Sequence, residues 1–187
     1  MNQQYILNTI QLFEYYKSLG DKTFNQLQEK DLFWQYNNNS NSIAIIVKHL
    51  CGNMLSRWTD FLTTDGEKEW RKRDEEFEND LKNKEELLHK WKEGWDCLFK
   101  ALNSLTEKDL NNTVYIRNQG HTVTDAINRQ LAHYASHIGQ IMYIGKMIKD
   151  ADWQSLSIPK GNSQQFNQEK FAKEKHDEHF TNEALGK

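Results

Sequence analysis

A single proline, Pro159, stands in 187 residues, so nothing before it carries the residue that most reliably breaks a helix. Long uninterrupted helices are therefore permitted over the first five-sixths of the chain. The two cysteines, Cys51 and Cys97, are too few for a disulfide scaffold. No stretch approaches the ~20 apolar residues that a membrane helix needs. No N-terminal segment runs from basic to apolar to small residues, so a secretory leader is not expected. Twenty-four basic against 27 acidic residues leave a net charge of −3, without the excess of basic residues that marks a nucleic-acid binder. Phosphate loops, nucleophile elbows and Cys-x-x-Cys pairs are missing too. The expectation is a cytoplasmic protein that acts on a small molecule, with no nucleic-acid or membrane partner.

What is present is helical periodicity. Tyr5, Ile6, Thr9, Ile10, Leu12, Phe13 and Tyr16 recur at helical spacing from Asn2 to about Leu19, where Gly20-Asp21 is expected to bend or end the helix. A polar loop, Asn37 to Ser42, is rich in capping residues and leads into a second long helix, Ile43 to about Leu62. The charged run from Glu67 to Asp80 is expected to be a solvated loop. A third helix, from about Lys84 to Leu105, buries Leu87, Leu88, Trp91, Trp95, Leu98, Phe99 and Leu102. Val114-Tyr-Ile116 reads as an extended connection or small hairpin. The Thr122-x-x-Asp125 capping box then opens a fourth helix to about Lys149. Trp153, Leu156 and Ile158 are expected to anchor the loop that follows it. The fold class is all-α, a four-helix bundle spanning residues 1–166, with a charged C-terminal tail over 167–187 that is expected to be mobile or weakly helical.

Two histidines in the fourth helix, His133 and His137, stand four residues apart and so share one face. Paired imidazoles in this register can hold one divalent metal between them. His49 lies in the second helix on a face with Ile46, Asn53 and Arg57, and Gln130 and Gln140 flank the histidine pair on theirs. If the two faces meet, three imidazoles converge and leave a coordination position open, as in catalytic zinc sites. Imidazole alone does not separate zinc from nickel, iron or manganese. A histidine taken singly is more often an ordinary hydrogen-bonded residue, and that reading stands beside the metal one for His49. Cys51 is about 200° around the helix from His49, which suits a small packed residue rather than a ligand. His89 is expected to be half-buried, His121 to belong to the turn that opens the fourth helix, and His176 and His179 to bind metal at most incidentally.

His49 within Ile-Ala-Ile-Ile-Val-Lys-His-Leu-Cys-Gly-Asn53, followed far downstream by His133-Tyr-Ala-Ser-His-Ile-Gly-Gln140, resembles the DinB-like superfamily, which includes the bacillithiol transferases and mycothiol-dependent enzymes. Arg57-Trp-Thr-Asp-Phe-Leu62, Arg71-Lys-Arg-Asp-Glu-Glu-Phe77 and Leu156-Ser-Ile-Pro-Lys-Gly161 resemble an uncharacterised bacterial branch of it, and the likeness reaches about Phe166. The resemblance implies an up-down-down-up bundle, a homodimer, and a three-histidine metal site on His49, His133 and His137. It implies transfer of a low-molecular-weight thiol to small electrophiles, with zinc or nickel as the metal; helical spacing alone puts Asn53, Arg57 and Gln130 where they would line the cavity and orient an anionic thiol or substrate. Metal-dependent hydrolysis and a non-catalytic, stress-related metal-binding bundle are the competing readings.

Overall fold

The structure is a computed structural model that describes residues 2–187. Four long helices carry it: α1 (Asn2–Gln26), α3 (Ile43–Trp58), α4 (Lys84–Ser104) and α5 (Val123–Lys149). A one-turn helix α2 (Glu29–Leu32) follows α1. An antiparallel hairpin, β1 (Thr113–Ile116) and β2 (Gln119–Thr122), precedes α5. Two short helices, α6 (Ser163–Phe171) and α7 (Asn182–Leu185), close the chain. No helix among the described residues is long and apolar enough to cross a membrane.

Side-chain caps fix where the helices begin. Ser42 Oγ accepts from Ile45 N–H, Asn83 Oδ1 from Glu86 N–H, and Thr122 Oγ1 from Asp125 N–H, each satisfying a donor that the helix leaves orphaned. The capping residue at the head of α5 is the one expected from sequence.

Contacts along the helices give their directions. Tyr5 reaches Thr124 and Asn128 at one end while Gln26 bonds Gln154 at the other, so α1 and α5 run parallel. Phe13 meets Trp95 and Phe24 meets Trp91, which makes α4 antiparallel to α1. Cys51 meets Glu93, and Thr59 meets Cys97, so α3 and α4 are parallel. The order is up-down-down-up, an all-α bundle. Because α3 and α4 point the same way, residues 59–83 must climb the full height of the bundle between them. That crossover lies against α3 and includes a 3-10 turn, Asp74–Phe77.

Phe13, Trp58, Trp95 and Tyr134, one from each long helix, meet at the centre with ring centroids 5.9–6.4 Å apart. The edge-to-face and tilted geometries suit aromatic quadrupoles. Trp58 Nε1–H donates to Tyr134 OH, which donates to Asn53 Oδ1, so the core's polar chain ends at the candidate site.

Two local readings are corrected. The first helix does not stop near Gly20 but runs on to Gln26. A Cβ at Gly20 would sit 2.6 Å from Trp91 Cζ2, and Asp21 accepts the Trp91 indole N–H at 2.7 Å. Those residues permit a close helix crossing instead of ending a helix. Trp153 does pack back, against Gly145, but Ile158 is exposed. The tail turns along α1, burying Thr181 and pairing Asn182 with Gln11 and Phe180 with Tyr15.

Candidate metal centre

The antiparallel pairing of α3 and α5 brings two polar stripes together inside the bundle. Along α3 the stripe is His49, Asn53 and Arg57, one turn apart; along α5 it is Gln130, His133 and His137. Nε2 of His49 lies 3.4 Å from Nε2 of His133, which lies 3.0 Å from Nε2 of His137. Ligand nitrogens about 2.0–2.1 Å from a tetrahedral ion stand about 3.3 Å from one another, so both separations from His133 are already at metal-holding spacing. The three ring nitrogens all fall within 4.8 Å of one another, and among the described residues no fourth histidine, cysteine or carboxylate joins them.

The protons on the far side of two rings are placed by their partners. His49 Nδ1 faces Glu76 Oε2 at 2.9 Å. Burial raises the Glu76 carboxyl pKa, but hydrogen bonds from His49 and Arg71 outweigh it and hold the group below the usual range. An ionised carboxylate only accepts, so His49 carries its proton on Nδ1 and turns a lone pair inward at Nε2. His137 Nδ1 pairs with Gln140 Oε1 at 2.9 Å, with the same result. Burial, then the neighbouring His137 and His49, push the His133 pKa down to about 3, and burial also lowers that of His137. Two inward lone pairs thus converge on one neutral imidazole. No single proton can satisfy all three nitrogens, whereas one cation can. The residues fit a divalent metal, and the group can hold one.

The wall around the histidines comes from the crossover. Arg71, its side chain 2% exposed, grips Glu76 with two bonds, Nε to Oε1 at 2.7 Å and Nη2 to Oε2 at 2.9 Å. Phe77 stacks on the His49 ring at 4.9 Å. Glu67 Oε2 receives Arg57, Arg71 and Arg117 at 3.1–3.2 Å. The expectation that Glu67–Asp80 is merely solvated is therefore corrected: Glu67, Arg71, Glu76 and Phe77 build one side of the site. Periodicity could not show them, because loop residues have none; the aromatics Trp70 and Phe77 are the visible marks in the charged run, and only Phe77 turns to the site. Asp65 completes the wall. Its carboxylate accepts the backbone N–H groups of Arg117 and Asn118, both at 2.8 Å, in the two-residue turn of the hairpin. Both turn residues have positive φ (55° and 61°), which costs a non-glycine residue energy and aims Arg117 at Glu67.

The result is a cavity of about 380 Å³ onto which all three histidines open. Asn53, Arg57 and Gln130 line it as well. Asn53 is held by Tyr134, Arg57 donates from Nη1 to Gly66 O and to Glu67, and Gln130 is 4% exposed. Cys51 points away, toward Glu93 at 3.5 Å, and burial pushes its thiol up to about 12, as suits a packed residue. His89 is exposed, which corrects its expected half-burial; His121 pairs with Asp125 and Arg129; and His179 bonds Thr181.

No curated protein and no solved structure matches the chain. A family model does match, over residues 1–162, a span that contains all three histidines, the crossover and the hairpin. On that match the chain belongs to the family described as "Protein of unknown function (DUF1572)".

Proposed function

We propose that the chain is a metal-dependent transferase that delivers a low-molecular-weight thiol, of the bacillithiol type, to small electrophiles, and that its family is a branch of the DinB-like superfamily. The observation that carries this reading is the convergence of three Nε2 atoms on one open cavity with no fourth protein ligand among the described residues. Open three-ligand sites are catalytic more often than structural, because structural sites are closed by four. His49, His133 and His137 would hold zinc or nickel, which when bound supplies a Lewis acid that lowers the pKa of a thiol.

The chain's own residues do the rest. Glu76 and Gln140 fix the tautomers of His49 and His137. Arg57 and Gln130 present polar atoms to an anionic thiol or acceptor, and Tyr134 keeps Asn53 turned toward the core. None of the residues lining the cavity is acidic. The resemblance also implies a homodimer, which sedimentation would test.

The experiment is turnover of chlorodinitrobenzene with bacillithiol. Activity should require added zinc or nickel and fall at least a hundredfold in His137→Ala. Full metal occupancy without turnover of any of several thiols and electrophiles would remove the transferase reading. Ester cleavage without added thiol would replace it with the hydrolase.

A further inference from the structure

Five arginines line the cavity of the histidine centre: Arg57 from α3, Arg71 and Arg73 from the crossover, Arg117 from the hairpin turn, and Arg129 from α5. Two carboxylates oppose them. Glu67 is shared among Arg57, Arg71 and Arg117, and Glu76 is taken up by Arg71 and His49. Arg73 has only the fully exposed Asp74 at 4.0 Å and the face of Phe77. Arg129 faces the ring of His121, whose other nitrogen is held by Asp125. The positive charge of the pocket is therefore not neutralised by the protein. A metal bound by three neutral imidazoles would add its whole charge to that excess.

Among the described residues, two buried polar atoms in the wall have no partner: Arg57 Nε, a donor on a residue 6% exposed, which can meet an anion, and Gln130 Oε1, an acceptor on one 4% exposed, which cannot. Buried groups of this kind are nearly always satisfied, and those that are not call for a ligand or other cause. Desolvation, followed by the nearby charge of Arg71, lowers the Arg57 pKa despite its bond to Glu67, which agrees with an excess of cations around it. Guanidinium groups present paired donors matched to carboxylate and phosphate oxygens. The arginines also come from four separate segments, so their convergence is a product of the fold and not of one basic run.

We propose that this pocket selects a substrate bearing a compact dianion, a phosphate monoester or two neighbouring carboxylates. Arg73, Arg117 and Arg129 hold the anion at the mouth, and Arg57 Nε donates to it from the wall. The inference rests on reading the histidine cavity as the substrate site and names the chemistry of what enters. The backbone strain at Arg117 then has a purpose, since it keeps one of these guanidiniums over the cavity.

The test is calorimetric titration of the full chain, stripped of metal, with inorganic phosphate, succinate and acetate at low ionic strength, alongside Arg117→Gln and Arg129→Gln. Both substitutions are at exposed positions, and circular dichroism confirms their folding. Phosphate or succinate should bind at least tenfold more tightly than acetate. Each substitution should weaken that binding by about tenfold, the effect of one charge-assisted hydrogen bond. The tighter of the two dianions identifies which anion the substrate carries. Equal binding of acetate, an unchanged affinity in both variants, or no binding of either dianion overturns the proposal. Zinc titrated separately into the same stripped preparations separates the two readings: stoichiometric zinc binding without dianion binding leaves the metal centre standing, and dianion binding without zinc binding does the reverse.

Discussion

Glu76 accepts one hydrogen bond from His49 Nδ1 and two from Arg71, and so sets which nitrogen of His49 faces the cavity. Carboxylates behind metal-bound histidines typically contribute 10–100-fold to affinity, and Glu76→Gln should weaken zinc binding by about that factor. Gly52→Ala should act the same way without touching a donor atom, because its Cβ would overlap Glu76 Oε1 and come within 2.7 Å of Cδ. Competition with a chromophoric chelator measures both, and unchanged affinity in the two variants would deny Glu76 its role. At this scale the sequence is legible only where helix geometry constrains it. His133 and His137 declare themselves by their spacing, and His49 by the face it shares with Asn53 and Arg57. Glu76 stands among three other acidic residues of one short run, and nothing in their order says which one turns inward. Its selection depends on Arg71 being buried beside it, a contact that exists only once the crossover lies on α3.

The same division holds for elements. Helix periodicity locates α4 and α5 and the start of α3 closely because each has an apolar stripe and a capping residue at its head, but it carries α3 on to Leu62, a turn past its end at Trp58. It misplaces the end of α1 because glycine has two uses, and Gly20 serves the second, close approach to Trp91. Gly94 serves it as well, on α4 where it crosses α3. A Cβ there would stand 3.0 Å from Cys51 Cα and from Met54 Sδ, and a backbone atom cannot swing aside as a side chain can. Gly94→Ala should therefore destabilise the bundle by about 1–3 kcal/mol despite alanine's better helix propensity. Gly139→Ala is the control, since nothing lies within 4 Å of its Cβ position. Propensity alone should then hold or raise stability, by up to about 1 kcal/mol. Urea denaturation of the two variants reads the contrast; equal midpoints would mean that α3 and α4 do not pack as closely as described.

The molecule as a whole is joined through the candidate centre as well as through its apolar core. His49 belongs to a descending helix, and His133 and His137 to an ascending one. Glu76 and Arg71 tie them to the crossover, and Glu67 ties the crossover to the hairpin through Arg117. An ion shared by the three histidines would link α3 to α5 directly and reach the connecting segments through hydrogen bonds. The unfolded chain has no such arrangement, so binding free energy becomes folding free energy. At a free zinc concentration a hundred times Kd the gain is about 2.7 kcal/mol. For a chain of this size that corresponds to a rise in Tm of roughly 5–10 °C. Zinc added to metal-stripped protein should raise Tm by this amount, chelator should reverse it, and His137→Ala should abolish it. The shift should also be smaller in Glu76→Gln, because weaker binding at fixed zinc lowers the linkage term. A Tm indifferent to zinc while elemental analysis shows one ion per chain would place that ion elsewhere, and the exposed His176 with His179 would be the first place to look.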